Sequence, residues 1–185
     1  MGRGEGALTR WPAWATEQVV LHPPDTGWQQ CGERECQRLD AVLGRWLLAP
    51  VEHVGSTAVP GVAAKPILDL QAAVADLACA PRIAAVLAPT GWHHVPPALD
   101  RRPWRRFFVQ VAGGHRSAHL HLMTLGTPRW DEQLAFRDAL RADRVLAQRY
   151  AALKQRLVAC HADDREAYTT AKFAFIRAVL DYPQN

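Results

Sequence analysis

Long hydrophobic runs are missing from this 185-residue sequence, although 49% of its residues are hydrophobic. No stretch approaches the roughly 18 apolar residues that a membrane-spanning helix needs. The segment from Met1 to Thr9 also lacks the apolar centre of a secretory signal. These absences predict a cytoplasmic protein with no membrane partner.

Cysteine and lysine are both scarce. The four cysteines do not have the spacing of a zinc site, so we expect free thiols. Among 22 basic residues only Lys65, Lys154 and Lys172 are lysines, and the rest are arginines. A GC-rich genome explains such a bias, and so does phosphate binding by guanidinium groups. The basic residues are spread along the chain, which disfavours nucleic acid as a partner.

No internal repeat or low-complexity tract occurs, and the length suits one domain. Residues 1–17 are predicted to be a loose N-terminal lead-in, and residues 18–185 a single domain. Apolar spacing and Pro/Gly breaks define the predicted elements. Helices are expected at 28–48 and 81–88, with three more from 128 onward, and strands at 51–54, 66–74, 104–111 and 118–125.

This order predicts an α+β fold, with a small mixed sheet flanked by helices and a C-terminal helical segment. The last two strands are expected to form a hairpin around Gly113-Gly114. Asp143 is a candidate N-cap for the second C-terminal helix. Asp163 and Glu166 have capping-box spacing for the third.

Gly55-Ser56-Thr57 follows a predicted strand. A glycine there lets the backbone approach a ligand, and successive N–H groups and hydroxyls can hold a phosphate. An ordinary turn at the end of a strand accounts for the triplet equally well.

Asp69 lies inside an apolar strand, where an unpaired carboxylate is costly to bury. It therefore needs a partner, which is a lysine or arginine (Lys65 is one candidate), a run of hydrogen-bond donors, or a metal. Gln71 is two residues further and shares its face of the strand. These residues form either a structural ion pair or part of a site.

His119 and His121 repeat this spacing in a later strand, so both imidazoles face one side. They are either satisfied core residues or site residues, and His53 could join them. Imidazole ligands favour zinc or manganese over magnesium.

Two further basic residues occupy informative positions. Arg106 shares a strand face with Phe108 and Gln110, which is either an exposed edge or part of a cleft. Lys172 falls near the middle of the apolar arc of the last predicted helix, an arc that includes Tyr168. Its ammonium group either snorkels to water or reaches an anion inside.

Together these segments resemble the GrpB family, over about residues 18–181. The resemblance is carried by the run from His53 to Asp69, by Arg106-Phe107-Phe108, His119-Leu-His121, Phe136 to Arg141, Tyr150 to Lys154 and Tyr168 to Ile176.

The resemblance implies a nucleotidyltransferase-like fold, in which a Gly-Ser turn and paired acids hold divalent metals and a triphosphate. Gly55-Ser56 matches the turn and Asp69 the first acid, but Gln71 replaces the second acid. The later strand carries imidazoles in place of an acid. These departures put two-magnesium chemistry in doubt. The family is also found fused to dephospho-CoA kinase, although this chain has no Walker-type loop.

By this resemblance the chain binds a nucleotide or another phosphorylated small molecule, with metal-dependent nucleotidyl or phosphoryl transfer as its expected reaction. The rivals are a non-catalytic nucleotide- or coenzyme-binding module and a phosphoester hydrolase. A divalent metal (Zn, Mn or Mg) is the implied cofactor. The expected roles are catalysis by Asp69, Ser56 and His121; phosphate binding by Gly55, Ser56, Thr57, Lys65, Arg106, Arg137 and Lys172; and metal binding by Asp69, His53, His119 and His121.

Overall fold

Five strands form one mixed sheet in the computed structural model, which describes residues 14, 17, 20–161, 167 and 170–181. The strands are β1 (Glu52–Val54), β2 (Leu68–Val74), β3 (Trp92–Val95), β4 (Arg105–Ala112) and β5 (His115–Thr124). The helices are α1 (Gly27–Leu43), α2 (Ala80–Leu87), α3 (Pro97–Asp100), α4 (Pro128–Ala142), α5 (Arg144–His161) and α6 (Phe173–Leu180). The predicted α+β fold with a mixed sheet is confirmed.

The strand order is β1-β2-β5-β4-β3. Only β2 and β5 run parallel, and the other neighbours are antiparallel. In the parallel pair Asp69 lies beside His119, and Gln71 lies beside His121. Because side chains of a strand alternate between the two faces, these four residues share one face of the sheet.

The other face of the sheet carries the main hydrophobic core. Leu70, Leu120, Leu122 and Phe108 are fully buried there. They pack with residues of α1 and α2, which include Leu39 and Leu43 of α1 and Ile83 and Leu87 of α2. The first face has smaller clusters against the C-terminal helices, so it leaves room for polar side chains.

One helix boundary and one strand differ from the prediction. The first helix ends at Leu43 rather than at residue 48, because Leu47 and Leu48 pair with the end of β2. The structure also contains β3, which the sequence did not predict; Trp92 is buried, but the strand has four residues only. The Asp143 side chain accepts hydrogen bonds from the N–H groups of Val145 and Leu146, which confirms its capping role.

The structure describes only some of the other predicted features. The capping pair at 163 and 166 lies outside the described residues, as do most of residues 1–17 and Tyr168. The carbonyl of Trp14 accepts a hydrogen bond from Arg116, so this part of the lead-in contacts β5. All four cysteines are free. Within the described residues, no helix has both the length and the apolar character to cross a membrane.

His53 belongs to the core face and not to the face of Asp69. Its partner in β2 is Leu70, and its ring packs against Gly32 of α1. A Cβ at position 32 would lie 2.0 Å from the His53 Nδ1, so only glycine fits. Burial lowers the pKa of His53 to about 4, although the charge of Asp69 acts in the opposite direction. The imidazole is therefore neutral at pH 7.

We predict that Gly32→Ala destabilises the protein by about 1–3 kcal/mol, the usual cost of overpacking, less the small gain in helix propensity. Chemical denaturation measures this free energy of unfolding. Gly27→Ala, in the same helix, is the control, since a Cβ there meets only the side chain of Asp25 at 3.1 Å. Equal stability of the two variants would contradict the close packing of His53 on α1.

The buried His53 also predicts a pH dependence of stability. Between the unfolded pKa of about 6.5 and the folded pKa of about 4, the unfolded chain binds more protons. The free energy of unfolding should therefore fall as the pH is lowered from 7 to 4, by at most about 3 kcal/mol from this residue. Denaturation at both pH values should show a smaller fall for His53→Gln; an equal fall would contradict the assignment.

Candidate functional site

A cavity of about 940 Å³ lies against the face of the sheet that carries Asp69. Its walls come from β2, β4, β5 and the C-terminal helices, together with the segments around residues 55–67. The basic side chains that line it are Lys65, Arg102, Arg105, Arg116, Arg129, Lys154 and Lys172, and the acidic ones are Asp69 and Glu132. Five aromatic rings line it as well: Trp104, Phe107, Phe136, Tyr150 and Phe173.

Asp69 and His119 form a hydrogen-bonded pair in this cavity. The Nδ1 of His119 lies 2.9 Å from the Asp69 Oδ1, while 36% of the Asp69 side chain is exposed. Burial of Asp69 favours its neutral form, but the hydrogen bond from His119 and nearby positive charge, including Lys172, more than offset this. They hold the pKa of Asp69 well below its usual range. The carboxylate is therefore ionised and accepts the His119 N–H.

His121 is held by Arg105 from the adjacent strand. The Arg105 Nη1 lies 2.6 Å from the His121 Nδ1, and the same guanidinium pairs with both oxygens of Asp100. Arginine is only a donor, so the His121 Nδ1 accepts and its Nε2 carries the hydrogen. Burial, followed by the charge of Arg105, lowers the pKa of His121 well below its usual value. Its Nε2–H group faces Asp69, 4.0 Å from Oδ1.

These contacts do not fit the predicted metal site. The nitrogens of His119 and His121 that face Asp69 carry hydrogens, so neither offers a lone pair to a cation beside the carboxylate. Position 71, where a second acid would stand, holds a buried amide bonded to the Trp130 carbonyl. Among the described residues, no group of three or more His, Cys, Asp or Glu side chains is placed to hold a metal ion. Metal binding stays a prediction from the sequence.

The turn from Gly55 to Thr57 brings the backbone close to Asp69. Gly55 has φ 71°, and a Cβ there would lie 2.6 Å from the Asp69 Oδ2, so the position requires glycine. The hydroxyl of Ser56 is hydrogen-bonded to Tyr150. The hydroxyl of Thr57 is buried, bonds the Ile67 carbonyl and lies 2.9 Å from the His53 Nε2. Both hydroxyls therefore already have partners within the protein, and the Ser56 hydroxyl shares its hydrogen bond with Tyr150, another residue of the cavity wall.

Most of the predicted residues come together at this cavity, which Gly55, Ser56, Thr57, Lys65, Asp69, His119, His121 and Lys172 line. Lys172 immediately precedes α6, and the charge of Asp69 partly offsets the lowering of its pKa by burial.

Three predicted residues do not line the cavity. His53 lies across the sheet, as described above. Arg106 pairs with Leu122 on the core face and donates to the Pro103 and Arg105 carbonyls. Arg137 bonds Glu52, Asp138 and the His53 carbonyl, so its guanidinium is committed to the structure. The structure therefore does not bring these three predicted residues to the cavity.

Arg105, Tyr150 and Lys154 line the cavity but were not predicted as site residues from the sequence. Alternation places Arg105 and Phe107 on the face of β4 that meets His121, but the sequence did not show which face of β4 this was. Lys154 follows buried Ala147 and Tyr150 at helical spacing, so it lies on an apolar stripe. A lysine on an apolar helix stripe identified Lys172 as a candidate, and the same criterion identifies Lys154.

Comparisons with known proteins match most of the chain. The sequence model of the GrpB family, described as GrpB protein, matches residues 18–182. The UPF0157 protein YqkA of Bacillus subtilis is 34% identical over 86% of this chain, which spans 45% of the length of that protein. A dephospho-CoA kinase of Mycolicibacterium paratuberculosis is 30% identical over 88% of this chain, and this chain spans 45% of the length of that kinase.

A solved structure has the same fold. The crystal structure of the conserved protein GrpB from Enterococcus faecalis superimposes with a TM-score of 0.76 and 28% sequence identity. The match covers 88% of this chain and 95% of that one. The predicted resemblance is therefore confirmed, and the chain belongs to the GrpB family.

Proposed function

We propose that the cavity binds a small molecule that carries a phosphate group, of the nucleotide or coenzyme class. The observation that carries this proposal is the charge of the lining, seven lysine and arginine side chains against two carboxylates. An excess of fixed positive charge in a concave site raises the local concentration of anions and stabilises them once bound.

The distribution of ion-pair partners favours one side of the cavity for the phosphate. Arg105 is paired with Asp100, and Arg129 is paired with Glu132, so acids already balance both guanidinium groups. On the side of the Gly55–Thr57 turn, Lys154 and Lys172 interact with the charge of Asp69, and Lys65 is near enough to Lys154 to lower its pKa. This side is the better phosphate subsite, because its lysines lie near one lining carboxylate, Asp69, whereas acids already pair with Arg105 and Arg129.

The aromatic lining suits the remainder of such a ligand. The Arg105 guanidinium stacks over the Phe107 ring, with its Cζ 4.1 Å from the ring centroid, and lies 5.2 Å from that of Trp104. Aromatic and guanidinium planes are surfaces on which nucleobases stack. One relative is named dephospho-CoA kinase, and its similarity to this chain, which spans 45% of its length, supports a ligand of the nucleotide or coenzyme class.

Nucleotidyl or phosphoryl transfer stays a prediction from the family resemblance, and the site favours binding. Asp69 faces the cavity, but its low pKa makes it a weak general base. The His119 Nδ1 donates to Asp69, and its Nε2 is buried. Neither group is placed to take a proton from an attacking hydroxyl, which favours the binding-module alternative.

We predict that Lys172→Met weakens binding of adenosine 5′-phosphate by about 1.5–3 kcal/mol, the usual loss of a charged hydrogen bond. Titration calorimetry measures the affinity, and thermal unfolding checks the fold. Arg106→Met is the matched control: it removes a cation from the other face of the sheet and should leave the affinity unchanged. A protein that binds adenosine as tightly as its 5′-phosphate would contradict the proposal.

Asp69→Asn separates binding from catalysis. Removal of the negative charge should tighten binding of adenosine 5′-phosphate by roughly 1 kcal/mol, because repulsion between carboxylate and phosphate is lost. If the protein transfers phosphoryl or nucleotidyl groups, the same variant should lose turnover of nucleoside triphosphates. Weaker phosphate binding by a folded Asp69→Asn protein would contradict the charge argument.

A further inference from the structure

Lys154 is the most deeply buried cation of the cavity. The residue is 2% exposed, and it projects from α5 next to Tyr150, whose ring centroid lies 4.8 Å from the lysine Nζ. Its Nζ donates one hydrogen bond, to the Ala63 carbonyl at 2.5 Å. A neutral amine can donate that bond as well as an ammonium can, so the contact with Ala63 does not require the charged form.

Most of the charged groups that face Lys154 disfavour its protonated form. Lys172, which precedes α6, and Lys65, in the segment before β2, are both cations. Asp69 of β2 is the one carboxylate among the groups that act on it in the described structure, and that carboxylate is shared with His119. Burial, together with the charge of Lys172, lowers the pKa of Lys154 to about 7. Near neutral pH the side chain is thus divided between its neutral and charged forms.

An anion in this subsite would change that balance. A singly charged group can be neutralised by Lys65 and Lys172 while Lys154 stays neutral. A doubly charged group leaves negative charge beside the Lys154 Nζ, which favours the ammonium form and adds a charged hydrogen bond. The proton comes from the solvent, and no covalent bond forms or breaks in the ligand.

We propose that Lys154 is a ligand-binding residue that takes up a proton when a phosphate monoester enters, so that the site selects dianionic phosphate esters over monoanionic sulfate esters. This inference rests on the proposed function, because it requires that the cavity bind phosphate. It adds a specificity-determining residue and the required charge of the ligand.

Phenyl phosphate and phenyl sulfate test this selection, since they have the same shape and differ in charge at pH 8. Calorimetric titration of the full chain in two buffers of different ionisation enthalpy gives both the affinity and the number of protons taken up. We expect phenyl phosphate to bind roughly tenfold to hundredfold more tightly than phenyl sulfate. Its binding should take up about 0.9 proton per ligand, because a group with a pKa near 7 is about nine-tenths neutral at pH 8.

Two variants assign the proton to Lys154. Lys154→Met should abolish the uptake and most of the preference for phenyl phosphate. Lys154→Arg keeps a permanent charge, so it should bind phenyl phosphate without uptake and phenyl sulfate more tightly than the unmodified chain does. If Lys154→Met does not fold, Lys154→Arg alone still tests whether Lys154 takes up the proton.

The possible outcomes separate this inference from the proposed function. Binding of phenyl phosphate without proton uptake, or with equal affinity for phenyl sulfate, overturns the role of Lys154 and leaves the phosphate site standing. Proton uptake that persists in Lys154→Arg also overturns it, because another group then takes the proton. No binding of either ester contradicts the proposed function and this inference together.

Discussion

The parallel pairing of β2 with β5 is the constraint on which the site depends. It places Asp69 beside His119 on one face of the sheet and directs Leu70 and Leu120 to the other. The core face packs on α1 and α2, so the strand register cannot slip by one residue without burying the carboxylate among leucines. Hydrophobic packing on one side of the sheet therefore holds the Asp69 carboxylate in the cavity on the other side.

The electrostatics of the cavity follow from that placement. Asp69 is ionised, and its charge is shared between the His119 hydrogen bond and the surrounding lysines. Asp100 and Glu132 already pair with the guanidinium groups of Arg105 and Arg129. Lys154 interacts with Lys65, Lys172 and the carboxylate of Asp69. This concentration of basic side chains disfavours a divalent cation and favours an anion. The family relationship and the charge of the cavity thus support the same class of ligand.

Much of this arrangement is readable from the sequence. Period-two spacing placed Asp69, His119 and His121 on shared faces, and apolar runs located four of the five strands. The neighbouring positions of the Asp69 strand and the His119 strand were predicted and are confirmed. The register of β1 on β2 and the face of β4 that meets the site were not readable, which is why His53 and Arg106 were assigned to the site although they lie on its far side. Arg137 shows a second limit: the sequence contains no sign that Glu52 and Asp138 occupy its guanidinium. Lys154 was within reach, since its helical spacing marks an apolar stripe.

The ligand class depends on whether a phosphate group is held beside the lysines of this cavity. A crystal structure of the protein with adenosine 5′-phosphate tests this point most directly. We predict density for the phosphate within hydrogen-bond distance of the Lys172 and Lys154 ammonium groups, on the side of the cavity formed by the turn at Gly55. Density for the phosphate at another surface, with the lysine side of the cavity filled by water alone, would contradict the account.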